Sequence, residues 1–204
     1  MPKRRHLTLR TRPYSARRIN NRDLRERFLI VCEGEKTEPN YFKAFRVNRD
    51  VVQIDIHGAG YNTLRLVQEA RRLKAQDEYD QVWCVFDRDE FPIRHFNDAV
   101  DLARKSDIRV AYSNPAFELW YFLHFHYLDT GIPRQEYTRR LSSLLGHRYE
   151  KNSGTIYDEL LERQPEATRN ARNLLAQYSP LKPARDNPST TVHQLVAELN
   201  RFLT

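Results

Sequence analysis

The chain has 204 residues, 40% hydrophobic and 30% charged, with 34 Lys and Arg against 27 Asp and Glu. That suffices for one α/β domain with an added helical element. No window approaches the roughly 18 apolar residues of a membrane span, and the N-terminus lacks the apolar h-region of a signal peptide. The charge is uneven. Residues 1–27 hold ten Lys and Arg against Asp23 and Glu26, while the rest holds 24 basic and 25 acidic residues and is close to neutral. The basicity therefore belongs to an N-terminal arm of the kind that contacts nucleic-acid phosphates. Only Cys32 and Cys84 are present; both lie in apolar runs and read as buried, reduced thiols, as expected of a cytoplasmic protein.

In chain order, residues 1–22 show no sustained apolar period and are expected to be extended or disordered when free. Arg27 to Glu33 reads as a strand that stops at a carboxylate. Thr37-Glu38-Pro39 then reads as a helix start, with Thr37 as the capping hydroxyl and Pro39 where a missing N–H costs little. Val51 to Ile56 is a second strand, with His57-Gly58-Ala59-Gly60 as its exit. Asn62 or Thr63 caps a second helix. Gln81 to Phe86 is a third strand, Ile93 to Lys105 a third helix, and Ile108 to Tyr112 a fourth strand. Ser113-Asn114-Pro115 breaks that strand before an apolar helix over 116–127. From Pro133 onward the pattern is helical only, over 133–145, 154–163, 165–178 and 189–203. The order β-α-β-α-β-α-β-α predicts a mostly parallel four-stranded α/β sheet flanked by helices, with a C-terminal helical extension. The expected division is a basic arm at 1–26, an α/β core at 27–130 and an extension at 131–204 packed on the core.

Parallel strands gather their C-terminal ends on one edge, where open α/β folds bind ligands. Glu33 and the Asp87–Asp89 pair end two such strands. Alternate residues of an extended segment point to one side, so Asp87 and Asp89 can face one ion. Carboxylates brought together repel unless neutralised, and a hard cation with oxygen ligands, Mg²⁺ or Mn²⁺, suits them. Gly34 permits close approach of a phosphate. Lys36 is suited to stabilising a crowded phosphate or protonating a leaving group. Glu38 is a secondary candidate whose alternative role is to cap its helix. Glu118, in an otherwise apolar helix, is costly to bury unless paired or metal-linked. Asn114 and His124 are further secondary candidates, although a lone His on such a face is more often a satisfied core or surface residue. Lys182, Arg185, Asn187, Ser189 and Thr190, before the last helix, form a candidate phosphate-binding surface, or else simply a capped helix start. There is no G-x-x-x-x-G-K-[ST], G-x-G-x-x-G or G-x-S-x-G motif and no zinc-type spacing of Cys and His.

A strand ending in Glu33-Gly34, followed by one ending in Asp87-Arg88-Asp89, resembles the Toprim fold of topoisomerases, bacterial primases and overcoming-lysogenization-defect nucleases. More narrowly, Val31 to Phe42, Phe86 to Asp89, Ser113 to Trp120 with His124, and Asn187 to Val192 resemble the RloB family. The resemblance runs from about residue 27 to the C-terminus. It implies a Toprim-like core, a place in prokaryotic restriction-linked or abortive-infection loci, and an ABC-type ATPase encoded alongside. It also implies that Glu33, Asp87 and Asp89 are Mg²⁺ ligands and acid–base groups. The chain departs from the alternating D-x-D-x-D pattern: position 91 is Phe91, and Glu90 is out of register. Glu118 is the candidate for the missing ligand.

The leading expectation is a metal-dependent nuclease for phage defence, with Glu33, Asp87, Asp89 and Glu118 as catalytic and metal-holding residues and Lys36 facing the phosphate. Arg4, Arg5, Arg17, Arg18, Lys182 and Arg185 would hold DNA or RNA. An ATPase partner and a homo-oligomer are compatible with this; a membrane is not. The alternative is a non-catalytic nucleic-acid-binding or ATPase-partner subunit of a defence complex. A religating or nucleotidyl-transferring enzyme ranks below both.

Overall fold

The structure, a computed structural model, describes residues 25–88 and 92–204. Arg4, Arg5, Arg17, Arg18 and Asp89 lie outside the described residues. Four apolar segments form parallel strands: β1 (Glu26–Cys32), β2 (Val52–Gly58), β3 (Gln81–Asp87) and β4 (Arg109–Asn114). β2 and β4 run two residues further than their apolar patterns, through His57-Gly58 and Ser113-Asn114, which the sequence reads as an exit and a break.

The four-stranded expectation is corrected to five strands, in the order β2-β1-β3-β4-β5. β5 (Ser189–Thr190) is antiparallel to β4. Residues after Pro133 are therefore not all helical. β4 would otherwise be an edge, and the returning chain closes it: Thr191 N–H donates to the Tyr112 carbonyl at 2.9 Å, and Tyr112 N–H donates to Thr191 Oγ1 at 3.0 Å. A two-residue strand has no period for a sequence pattern to reveal.

The helices are α1 (Thr37–Lys43), α2 (Thr63–Lys74), α3 (Ile93–Lys105), α4 (Glu118–Leu123), α5 (Arg134–Leu145), α6 (Ile156–Leu160), α7 (Gln164–Ala176) and α8 (Val192–Asn200), with a 3₁₀ turn at Leu161–Arg163. Asn62 caps α2 by accepting from Arg65 N–H at 3.0 Å. Thr37 does not cap α1; Lys36 occupies that position without a side-chain cap. α4 is shorter than the apolar run 116–127. Its entry bonds are of the tighter i→i−3 kind, Leu119 to Ala116 and Trp120 to Phe117. At its end the His124 ring bonds the Trp120 carbonyl that another α-turn would use.

Strand residues alternate between two cores. Phe28, Ile30, Cys32, Trp83 and Val85 face α1 and α4–α8. Leu29, Val31, Val82, Cys84 and Phe86 face α2 and α3. Cys84 pairs with Val31, one residue from Cys32, so the two thiols point to opposite faces; both are free and buried. Tyr41 of α1 packs on Phe117 at 5.9 Å and on Tyr121 of α4 at 5.5 Å between ring centroids. Each such ring contributes roughly 1.5–3 kcal/mol by burial, and together they hold α1 against α4. Among the described residues no helix is long and apolar enough to cross a membrane.

Candidate functional site at the sheet switch point

From β1 the chain moves outward to β2, then returns past β1 to β3 and β4. The reversal lies between β1 and β3, the place where open α/β sheets leave a crevice outside the strands' carboxyl ends. Glu33 and Asp87 stand there. Glu33 N–H extends the ladder by donating to the Val85 carbonyl at 2.9 Å. Its carboxylate bridges the gap: Oε2 accepts from Asp87 N–H and Oε1 from the Thr63 hydroxyl, both at 3.1 Å. The β1–α1 turn, the end of β3 and the first residue of α2 are thus tied through one side chain.

Gly34 makes room for a second acid. A methyl group at Gly34 would stand 2.1 Å from Glu38 Oε2, so the buried Glu38 carboxylate lies directly over the glycine. Burial pushes its pKa up, against the backbone amides of Glu38 and Gly34, which favour the ionised form; nearby Glu118 raises it further. Glu35 turns the other way and packs on Gly60, whose φ of +61° only glycine adopts readily.

Asp87 ends β3. Its Oδ2 lies 3.7 Å from Arg134 Nη2 of α5, and its buried Oδ1 has no hydrogen-bond partner among the described residues. Burial drives its pKa well above the ordinary carboxylate range, and Glu38, Glu118 and Glu33 add to the effect while Arg134 opposes it. Glu118 opens α4 and is 5% exposed. Lys151 Nζ approaches its Oε1 at 3.4 Å, and the Tyr149 hydroxyl donates to the same oxygen at 3.4 Å. The partner that burial of Glu118 demands is therefore present as an internal ion pair, and Glu118 also stands near Glu38 and Asp87.

The fold thus assembles four carboxylates, Glu33, Glu38, Asp87 and Glu118, from two strand ends and two helix starts. Among the described residues no three His, Cys, Asp or Glu side chains are grouped closely enough to grip one ion. The donor chemistry nonetheless fits a hard divalent cation: every donor is a carboxylate oxygen, and the buried Asp87 Oδ1 is unsatisfied.

Lys36 is exposed beside this cluster, immediately before α1. Asn114 is structural in its visible contacts, its amide donating to the Asp186 and Pro183 carbonyls at 2.8 and 3.3 Å. His124 lies in the core, 1% exposed. Its Nδ1–H bonds the Trp120 carbonyl at 2.9 Å, and burial lowers its pKa to about 4. Lys182 and Arg185 are exposed on the loop before β5. Sequence reasoning missed Thr63 as an orienting group, and Arg134, Tyr149 and Lys151 as partners of the acids. None carries a local signal, because each meets its acid through a long-range contact.

The model of the family described as RloB-like protein matches residues 28–199. The chain belongs to the RloB-like family. The match opens in β1 and closes in α8, so it takes in Glu33, Glu38, Asp87, Glu118, Arg134 and Arg185. The RloB-like region thus includes the helices after Pro133 as well as the sheet. Comparison with curated proteins gave no match, and comparison with solved structures gave none.

Proposed function

We propose that this RloB-like protein is a metal-dependent nuclease that hydrolyses phosphodiester bonds of DNA or RNA in antiphage defence. The observation that carries the reading is the gathering of Glu33, Glu38, Asp87 and Glu118 at the switch point, with the buried Asp87 Oδ1 unsatisfied. Glu33, Asp87 and Asp89 would hold Mg²⁺ or Mn²⁺, with Glu118 completing the set; such an ion neutralises phosphate charge and acidifies a bound water. The chain's own groups do the rest. The Thr63 hydroxyl and Asp87 N–H fix the Glu33 carboxylate. Glu38, protonated more readily than an ordinary carboxylate, is suited to give a proton to the leaving oxygen. Lys36 offsets charge on the phosphate. A Toprim-like identity for the sheet, a restriction-linked setting, an ABC-type ATPase partner and self-association belong to the same proposal and rest on the family resemblance.

One observation favours a second reading. Asp87 and Glu118 already have internal cations, Arg134 at 3.7 Å and Lys151 at 3.4 Å, as in a fold retained for binding or for partnering an ATPase without turnover. Titrating Mg²⁺ and Mn²⁺ against labelled DNA and RNA, with and without the neighbouring ATPase, separates the two. Metal-dependent cleavage abolished by Glu33→Gln and Asp87→Asn supports the nuclease. Nucleic-acid binding without cleavage under any of these conditions supports the binding subunit.

A further inference from the structure

Beside the carboxylates lies a cleft of about 500 Å³ between the end of β4, the start of α5 and the loop before β5. Arg88, Arg134 and Arg185 line it together with Asn114 and Asn187, and no acidic residue among the described ones does. Two of the arginines are fixed by backbone oxygens: Arg88 Nε donates to the Ala184 carbonyl at 3.1 Å, and Arg134 Nη2 donates to the Pro115 carbonyl. Gly131 gives Asn187 its place, since a methyl there would come within 3.1 Å of the Asn187 amide carbon and oxygen.

We infer that this cleft seats a backbone phosphate of a nucleic-acid strand, next to the phosphate presented to the carboxylates. Three guanidinium groups around a hollow that no described acidic residue lines favour an anion there, and their planar forks match phosphate oxygens. Anchoring by carbonyls means that little ordering is left for the ligand to impose. Arg134 joins the two places, because it lines the cleft and stands 3.7 Å from Asp87 Oδ2. The assignment deepens the nuclease reading and rests on it for the identity of the strand. It also revises the sequence-level surface. Arg185 and Asn187 remain, Arg88 and Arg134 join them, and Lys182, Ser189 and Thr190 are not among the lining residues.

The test is fluorescence anisotropy of labelled single-stranded DNA and RNA 20-mers with the full-length protein in EDTA, where hydrolysis plays no part. Arg185→Glu should weaken binding at least tenfold and lower the slope of log Kd against log salt by about one to two. The control Arg104→Glu, at the exposed C-terminal end of α3, should stay within twofold, and thermal melting should be unchanged in both. Equal effects of the two variants would overturn the assignment, and so would tight binding of a nucleoside triphosphate by a protein that ignores both oligonucleotides. Glu33→Gln separates the cleft from the chemistry. It should bind as wild type and cleave nothing; if it cleaves normally while Arg185→Glu fails to bind, the cleft stands and the assigned catalytic set falls.

Discussion

Replacing Gly34 by alanine probes the carboxylate cluster through its tightest contact. The new methyl carbon would stand 2.1 Å from Glu38 Oε2 and 2.9 Å from its Cδ, where ordinary contact begins at 3.4 Å. Gly34 lacks a positive φ, so the effect is steric rather than conformational. The carboxylate must withdraw by more than 1 Å at its nearest oxygen, leaving the amides of Gly34 and Glu38 that now favour its ionised form. Leaving a buried carboxyl group without its polar partners costs about 1–3 kcal/mol. With the clash itself added, the expected destabilisation is roughly 2–3 kcal/mol, or a fall in Tm of about 4–12 °C for a chain of this size. Differential scanning calorimetry of Gly34→Ala, Glu38→Ala and the double variant reads it. The double variant should be more stable than the sum of the singles implies, because removing Glu38 removes the clash. Additive effects, or a Gly34→Ala melt within 2 °C of wild type, would refute the seat assigned to Glu38.

Further expectations follow from the buried titratable groups. Asp87 has a folded-state pKa raised above its unfolded value, so the folded chain holds the extra proton and stability falls as pH rises through that window. In EDTA, Asp87→Asn should therefore melt above wild type at pH 8, with the gap closing towards pH 4; a variant less stable at pH 8 would contradict the burial argument. His124 and His193 are lowered from 6.5 to about 4 by burial. Their contribution is complete above pH 6.5 and is lost as pH falls towards 4, to a limit of about 3 kcal/mol each. Urea midpoints at pH 7.0, 5.5 and 4.5 should decline, and His124→Gln with His193→Gln should flatten the decline; an unchanged slope would place the acid sensitivity elsewhere.

The main architecture was legible because its signals are local. The runs ending at Glu33 and Asp87 are apolar over strand length, and their buried pattern on both faces is that of a parallel sheet. α3 matched its reading at both ends. β5 was not legible, since Ser189 and Thr190 form a strand only through β4. Thr37 looked like a cap by residue type, but the chain placed Lys36 there and turned Glu38 back onto Gly34. The carboxylates were legible as strand-end residues, and Glu118 as an acid in an apolar run. Their counter-ions were not: Arg134 and Lys151 carry no local signal, and only the folding of α5 and of the connection after it over the sheet edge brings them to Asp87 and Glu118. His124 lies in the core, as a lone His on an apolar helix usually does.

On the proposed function, the switch-point carboxylates carry metal-dependent phosphodiester hydrolysis. The most direct measurement is a Mn²⁺ titration of cleavage of uniformly labelled DNA and RNA by wild type, Glu33→Gln and Asp87→Asn, each checked to be folded by thermal melting. Cleavage that saturates with Mn²⁺ in the wild type and falls by at least a thousandfold in both variants is the predicted result. Wild-type rates in both variants, or cleavage indifferent to EDTA, would contradict it.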